Sequence, residues 1–254
     1  MSQVVTTETK DSALVITLNR PEKKNAINAE VAGELRAAVE KLESDPDLRV
    51  GILTGASGTF CAGMDLKAAA KGENVSIEGH GFAGFVQTVT SKPMIAAIEG
   101  FALGGGLEIA LNCDLIVAAG SATLGLPEVT RGLIPGGGGA IRVPQRIPHH
   151  LAMELLLTGQ TFTAERGHEI GLVNRVTEEG CALETATELA AVISANAPLA
   201  LAAVKDVARM AENTTEQEAF AGQARIVDSL KLSEDFAEGA AAFAERRKPQ
   251  WQGR

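Results

Sequence analysis

The first half of the chain alternates short apolar runs with helix-like stretches, and this alternation narrows the available folds more than any other feature. Ala13–Asn19 (ALVITLN) and Leu48–Thr54 (LRVGILT) read as buried strands, as do Met94–Glu99 and Leu115–Ala119. Between the first two, the turn signal NRPEKKN leads to Asn28, a helix-capping residue type. Val31, Leu35, Val39 and Leu42 then follow at spacings of four, four and three, the period of one helix face. Strands alternating with helices predict crossover units, a largely parallel sheet, and ligands bound at strand ends: an α/β fold. Gly72–Gly81 has no clear period and reads as a surface loop, and Phe82–Val89 after it reads as helix-like. Past Gly180 strand signals give way to helical pattern over Glu184–Asn196, Leu199–Glu212, Glu216–Leu230 and Ser233–Arg247. We therefore expect an α/β core over residues 1–195 and a helical region over 196–254, whose small apolar residues suit packing between subunits.

With 254 residues the chain can bury a sizeable core, and a composition 45% hydrophobic and 22% charged excludes a disordered chain. A formal net charge of −9 argues against nucleic acid as the main partner, since phosphate binding needs basic stripes. Cys61, Cys113 and Cys181 are odd in number and far apart, as suits reduced thiols. The four histidines pair with no acid or cysteine at ligand spacing, so no metal is expected. MSQVVTTETK lacks a basic start and an apolar segment, and no apolar run nears the ~20 residues a membrane span needs. The expectation is a soluble, cytoplasmic protein without a membrane partner.

Three glycine-bearing stretches stand out: TFCAGMDL (Thr59–Leu66), ALGGGLE (Ala102–Glu108) and IPGGGG (Ile134–Gly139). Each alone reads as a tight turn. A dinucleotide fingerprint counted from Gly104 finds Gly106 but meets Ile109 where its third glycine should stand. Neither a phosphate-binding GxxxxGK[ST] nor a GxSxG nucleophile elbow occurs. The carboxylates remain. Glu108 lies on the first turn of an otherwise apolar helix, and a buried acid needs a partner or a task. Glu128 follows Pro127. A path out along Leu115–Ala119 and back through Ala122–Leu126 would return it toward Glu108. Two acids beside a turn of free amides offer acid/base chemistry next to an oxyanion site.

TFCAGMDL, IEGFALGGGLEIALNCDLIVA, ATLGLPEVTRGLIPGGGG and LLLTGQTFTAERGHEIGLVNRV, in that order, resemble the enoyl-CoA hydratase/isomerase (crotonase) family. The resemblance runs from LNRPEKKNAIN to the C-terminus, and SEDFAEGAAAFAERRKPQWQGR leans toward the carnitinyl-CoA dehydratase-like branch. It implies a spiral of ββα repeats with a helical trimerisation region, hence a homotrimer or dimer of trimers. It implies an oxyanion hole from the Met64 and Gly105 amides, with Glu108 and Glu128 catalytic. Family isomerases typically keep one of the two acids; here both positions are acids. Coenzyme A, part of the acyl-CoA substrate rather than a resident cofactor, would by this resemblance be held by Lys23 or Lys24, by Ala62, Asp65 and Leu66, and by Arg246, from this subunit or a neighbouring one.

Overall fold

The computed structural model describes residues 3–254. A six-stranded sheet runs in the order Val5–Lys10, Ala13–Leu18, Val50–Gly55, Met94–Ile98, Leu115–Ala119, Arg175–Thr177. Only the first pair is antiparallel; the other neighbours are parallel and need crossovers between them. The helix Ala29–Ser44 makes the first crossover, and its capping Asn28 accepts the Val31 N–H at 3.0 Å. The strands alternate in side-chain direction, so both faces of the sheet are apolar. Leu14, Ile16, Leu53, Ala96 and Ile98 enter one core with Leu35 and Val39 of that helix. Val15, Ile52, Ile95, Ala97 and Val117 face the other way. There Ala182, Ala186 and Ala190 of the helix Ala182–Ser194 pack against them. Alanines at every fourth position let that helix approach the sheet closely.

A second, three-stranded sheet decides where the site forms. Its order is Phe162–Thr163, Thr123–Gly125, Phe101–Leu103, the last two pairing in parallel. The return through Ala122–Leu126 follows the expected path, and its strand Thr123–Gly125 lies in this second sheet rather than beside Leu115–Ala119. The chain leaves the large sheet and pairs with the strand that leads into ALGGGLE, closing with Gly104 N–H to the Gly125 carbonyl at 2.9 Å. Glu128 reaches its place by that route.

Two other expectations change. The 72–81 segment contains a small antiparallel pair, Ser76–Ile77 with Gly81–Phe82. The stretch 82–89 is a series of turns, not a helix. Gly81, Ala83 and Gly84 have φ of 69°, 58° and 62°, a left-handed conformation that α-helix cannot contain. The C-terminal helices are Pro198–Asn213, Glu216–Leu230 and Glu234–Glu245. The chain end folds back onto the core: Trp251 Nε1 donates to the Ala195 carbonyl at 2.8 Å, and Arg49 donates to the Trp251 carbonyl at 3.0 Å. No single described helix is long and apolar enough to cross a membrane.

Candidate active site

Two glycine-bearing turns lie side by side. Cys61 N–H donates to the Phe101 carbonyl at 2.8 Å, and Leu103 N–H donates back to Cys61 at 3.1 Å. This parallel bridge sets CAGMD against the start of the helix Gly105–Asn112. The approach leaves no room for side chains: a carbon added at Gly106 would lie 2.2 Å from the Cys61 carbonyl oxygen, and one added at Gly63 would lie 3.3 Å from the Gly105 nitrogen. Gly104, with φ 54° and ψ −125°, caps the helix in a conformation open essentially to glycine alone. Met64 and Gly105 are both half-buried, and neither amide donates to an acceptor among the described residues. At Gly105 this follows from its place as the first helical residue. At Met64 it follows from the bridge to Ile27, where Gly63 and Asp65 supply the backbone groups.

Glu108 is 3% exposed and belongs to the same helix. One carboxylate oxygen accepts the Gly137 and Gly139 N–H groups at 2.7 and 2.9 Å. The IPGGGG turn, which in the sequence competes with ALGGGLE as a separate glycine signal, is thus the cradle of its acid. A side-chain carbon at Gly137 would fall 2.6 Å from the other carboxylate oxygen. Burial pushes the Glu108 carboxyl above its ordinary range, against the opposing pull of those two amides and of the Arg142 charge.

Glu128 lies on the 3-10 turn Pro127–Arg131, with one carboxylate oxygen 3.0 Å from where a Gly104 side-chain carbon would be. Its Oε2 is buried without a hydrogen-bond partner. Burial raises this carboxyl too, and the nearby Glu108 charge adds to the rise. The folded chain therefore brings together two free amides and two coupled carboxyls with raised proton affinity. Such a set can stabilise a developing oxyanion while moving a proton to or from carbon.

A family model described as enoyl-CoA hydratase/isomerase matches residues 8–254. The chain belongs to the enoyl-CoA hydratase/isomerase family. It is 41% identical over 262 residues to a carnitinyl-CoA dehydratase of Proteus mirabilis, covering 100% of both chains. It is 42% identical to the enoyl-CoA hydratase EchA19 of Mycobacterium tuberculosis, over 97% of this chain and 96% of the relative. The crystal structure of an enoyl-CoA hydratase from Mycobacterium tuberculosis H37Rv superposes with a TM-score of 0.97 at 51% identity, covering both chains fully.

The remaining residues named for this enoyl-CoA hydratase/isomerase site are less tightly grouped. Lys23 and Lys24 are exposed, at the end of the 3-10 turn Pro21–Lys23. The Lys24 ammonium stands 5.0 Å from the Phe101 ring centre, at the strand that leads to Gly104. Lys24 is also tied to the CAGMD loop, because its carbonyl accepts the Ala62 N–H at 3.0 Å. Asp65 N–H is given to Ile27, and the Asp65 carboxylate caps the helix Leu66–Ala69 while pairing with Arg20 at 3.2 Å. Its charge is therefore spent on holding the loop. Leu66 is 52% exposed beside it. Arg246 is exposed at the left-handed end of the last helix, where its N–H donates to the Phe243 carbonyl. Sequence reasoning missed Phe82, whose ring lies so close to Gly105 that an added side-chain carbon would be 2.5 Å from it. It also missed Arg142, which donates to the Gly137 carbonyl at 3.1 Å.

Proposed function

We propose that the protein is an enoyl-CoA hydratase, adding water reversibly and syn across a trans-2-enoyl-CoA thioester to give the 3-hydroxyacyl-CoA. The observation that carries this reading is the pair of coupled, buried carboxyls beside the unengaged Met64 and Gly105 amides. The thioester oxygen would sit between those two N–H groups. Enolate-like charge that develops there would be stabilised in a dry site, each donor contributing about 10²–10³ in rate. Glu108, with two amides and a nearby guanidinium favouring its charge, suits the base that directs water at the β-carbon. Glu128, with an unpartnered oxygen and a negative neighbour, suits the acid that protonates the α-carbon. The reaction so drawn needs no metal and no resident cofactor.

Lys24, at the Phe101 strand, is our candidate cation for the coenzyme A phosphates, with Lys23 beside it and Arg246 supplied from a neighbouring subunit. Ala62, Asp65 and Leu66 would line the nucleotide's path. A cytoplasmic homotrimer or dimer of trimers fits this reading. The full-length 41% identity to carnitinyl-CoA dehydratases supports a second reading on the same site, with a 3-hydroxy-4-trimethylammonio acyl group as the substrate. Incubation with crotonyl-CoA, following loss of the enoyl absorbance, tests the proposal. Rapid turnover is expected; tight acyl-CoA binding with no turnover of any enoyl-CoA would make the protein a binder. Kinetic comparison with carnitinyl-CoA then separates the two enzymatic readings by kcat/KM.

A further inference from the structure

Arg142 makes no hydrogen bond to Glu108 or Glu128, yet its hydrogen bonds reach the Gly137 turn, the Glu108 helix and the segment after Phe82. Its Nη1 donates to the Gly137 carbonyl at 3.1 Å, at the residue whose N–H holds Glu108. Its Nη2 donates to the Val86 carbonyl and to Asn112 Oδ1, the latter at 2.9 Å. Asn112 ends the Gly105–Asn112 helix, one turn beyond Glu108. Its amide donates onward to the Phe85 and Thr88 carbonyls at 2.7 and 3.1 Å. The segment so gripped is the succession of turns that follows Phe82, and Phe82 lies over Gly105. An arginine fork presents several donors in one rigid plane, which a lysine cannot reproduce.

We infer that Arg142 is a positioning residue for the reaction, with Asn112 as its relay. Together they lock the Gly137 turn, the Glu108 helix and the Phe82 segment into one unit. The Gly137 carbonyl and N–H belong to neighbouring peptide units of a glycine-rich turn, so fixing the carbonyl limits how the N–H can swing from Glu108. The guanidinium also places a positive charge near Glu108. Asn112 passes the constraint to the Phe85–Thr88 turns. The Gly137, Val86 and Phe85 acceptors belong to buried residues, where a lost donor is costly.

The inference rests on the hydratase reading for its kinetics, and it has a readout that does not. Carbon-13-labelled glutamate lets the Glu108 carboxyl be titrated by NMR in the unliganded protein. Removing the Arg142 cation takes away a term that favours the ionised form, so the Arg142→Gln midpoint should move to higher pH. With crotonyl-CoA, Arg142→Gln should lower kcat about tenfold or more with KM changed less than about threefold, and should shift the acid limb of the rate profile upward. Arg142→Lys should keep the midpoint near wild type and recover part of kcat. Asn112→Ala should act mainly on KM and leave the Glu108 midpoint in place. Wild-type kcat and an unmoved midpoint in Arg142→Gln would overturn the inference. If that variant fails to fold, full wild-type kcat in Arg142→Lys would overturn the role of the fork. If wild-type protein turns over no enoyl-CoA, the hydratase reading fails, and the titration alone decides whether Arg142 positions Glu108.

Discussion

Glu128 places one carboxylate oxygen in the interior with no donor to satisfy it, and a second acid stands nearby. Both circumstances favour the protonated form, so the folded chain binds that proton more tightly than the unfolded chain does. Stability from this group is therefore fully present below the unfolded carboxylate pKa, near 4.3, and is lost as pH rises through the raised folded value. Glu128→Gln, which cannot ionise, should be more stable than wild type at pH 7 by about 1 kcal/mol, roughly 2–4 °C in Tm. The difference should shrink as the pH falls toward 4. Thermal melts across that range check it, and a variant less stable than wild type at pH 7 would show that the oxygen has a partner in solution. In the sequence the acids themselves were legible: an isolated glutamate on an apolar helix and another after Pro127. Which groups surround each acid was not. Hydrogen bonds such as Gly137 to Glu108 join residues 29 apart, and no local pattern encodes them.

At the scale of elements, the site is made by turns that accept no side chain. Gly137→Ala would put a carbon where the Glu108 carboxylate now lies, 2.6 Å from its oxygen. It should therefore lower hydration about 10²-fold or more while leaving the melting profile of the fold largely unchanged, since the three atoms nearest that carbon all belong to the Glu108 side chain. Steady-state kinetics beside circular dichroism decide this, and near-wild-type turnover would mean that Glu108 works without that cradle. Four of the six large-sheet strands were legible because each is a continuous apolar run covered on both faces; Val5–Lys10 is mostly polar and Arg175–Thr177 is three residues long, and neither was. Asn28 was legible as a cap. The three-stranded sheet was not, because Phe101–Leu103 and Thr123–Gly125 are three residues each, too short to show a period. That sheet delivers Glu128 on the return path from Leu115–Ala119. The helix expected over 82–89 failed on backbone angles: two residues there, Ala83 and Gly84, are left-handed.

Across the whole molecule, the C-terminal helices leave large apolar side chains in the open. Leu232 and Phe243 are 89% and 88% exposed, and Phe220 and Phe236 are more than half exposed. A patch of that kind marks a contact surface. Light scattering after size exclusion should give a multiple of the 26.4 kDa subunit mass, three or six by our reading. Phe243→Glu with Leu232→Glu should shift the mass downward, whereas a wild-type monomer would contradict that reading. The broad division into an α/β core and a helical end was visible in where strand signals stop, but which faces of those helices stay uncovered is a tertiary property. The central claim is that two carboxyls and two backbone amides together hydrate an enoyl thioester. The direct measurement is kcat for crotonyl-CoA in Glu108→Gln and Glu128→Gln, with acyl-CoA affinity measured alongside. Each variant should lose about 10³-fold or more in kcat while binding stays within a fewfold of wild type. Near-wild-type turnover in either variant would contradict the claim.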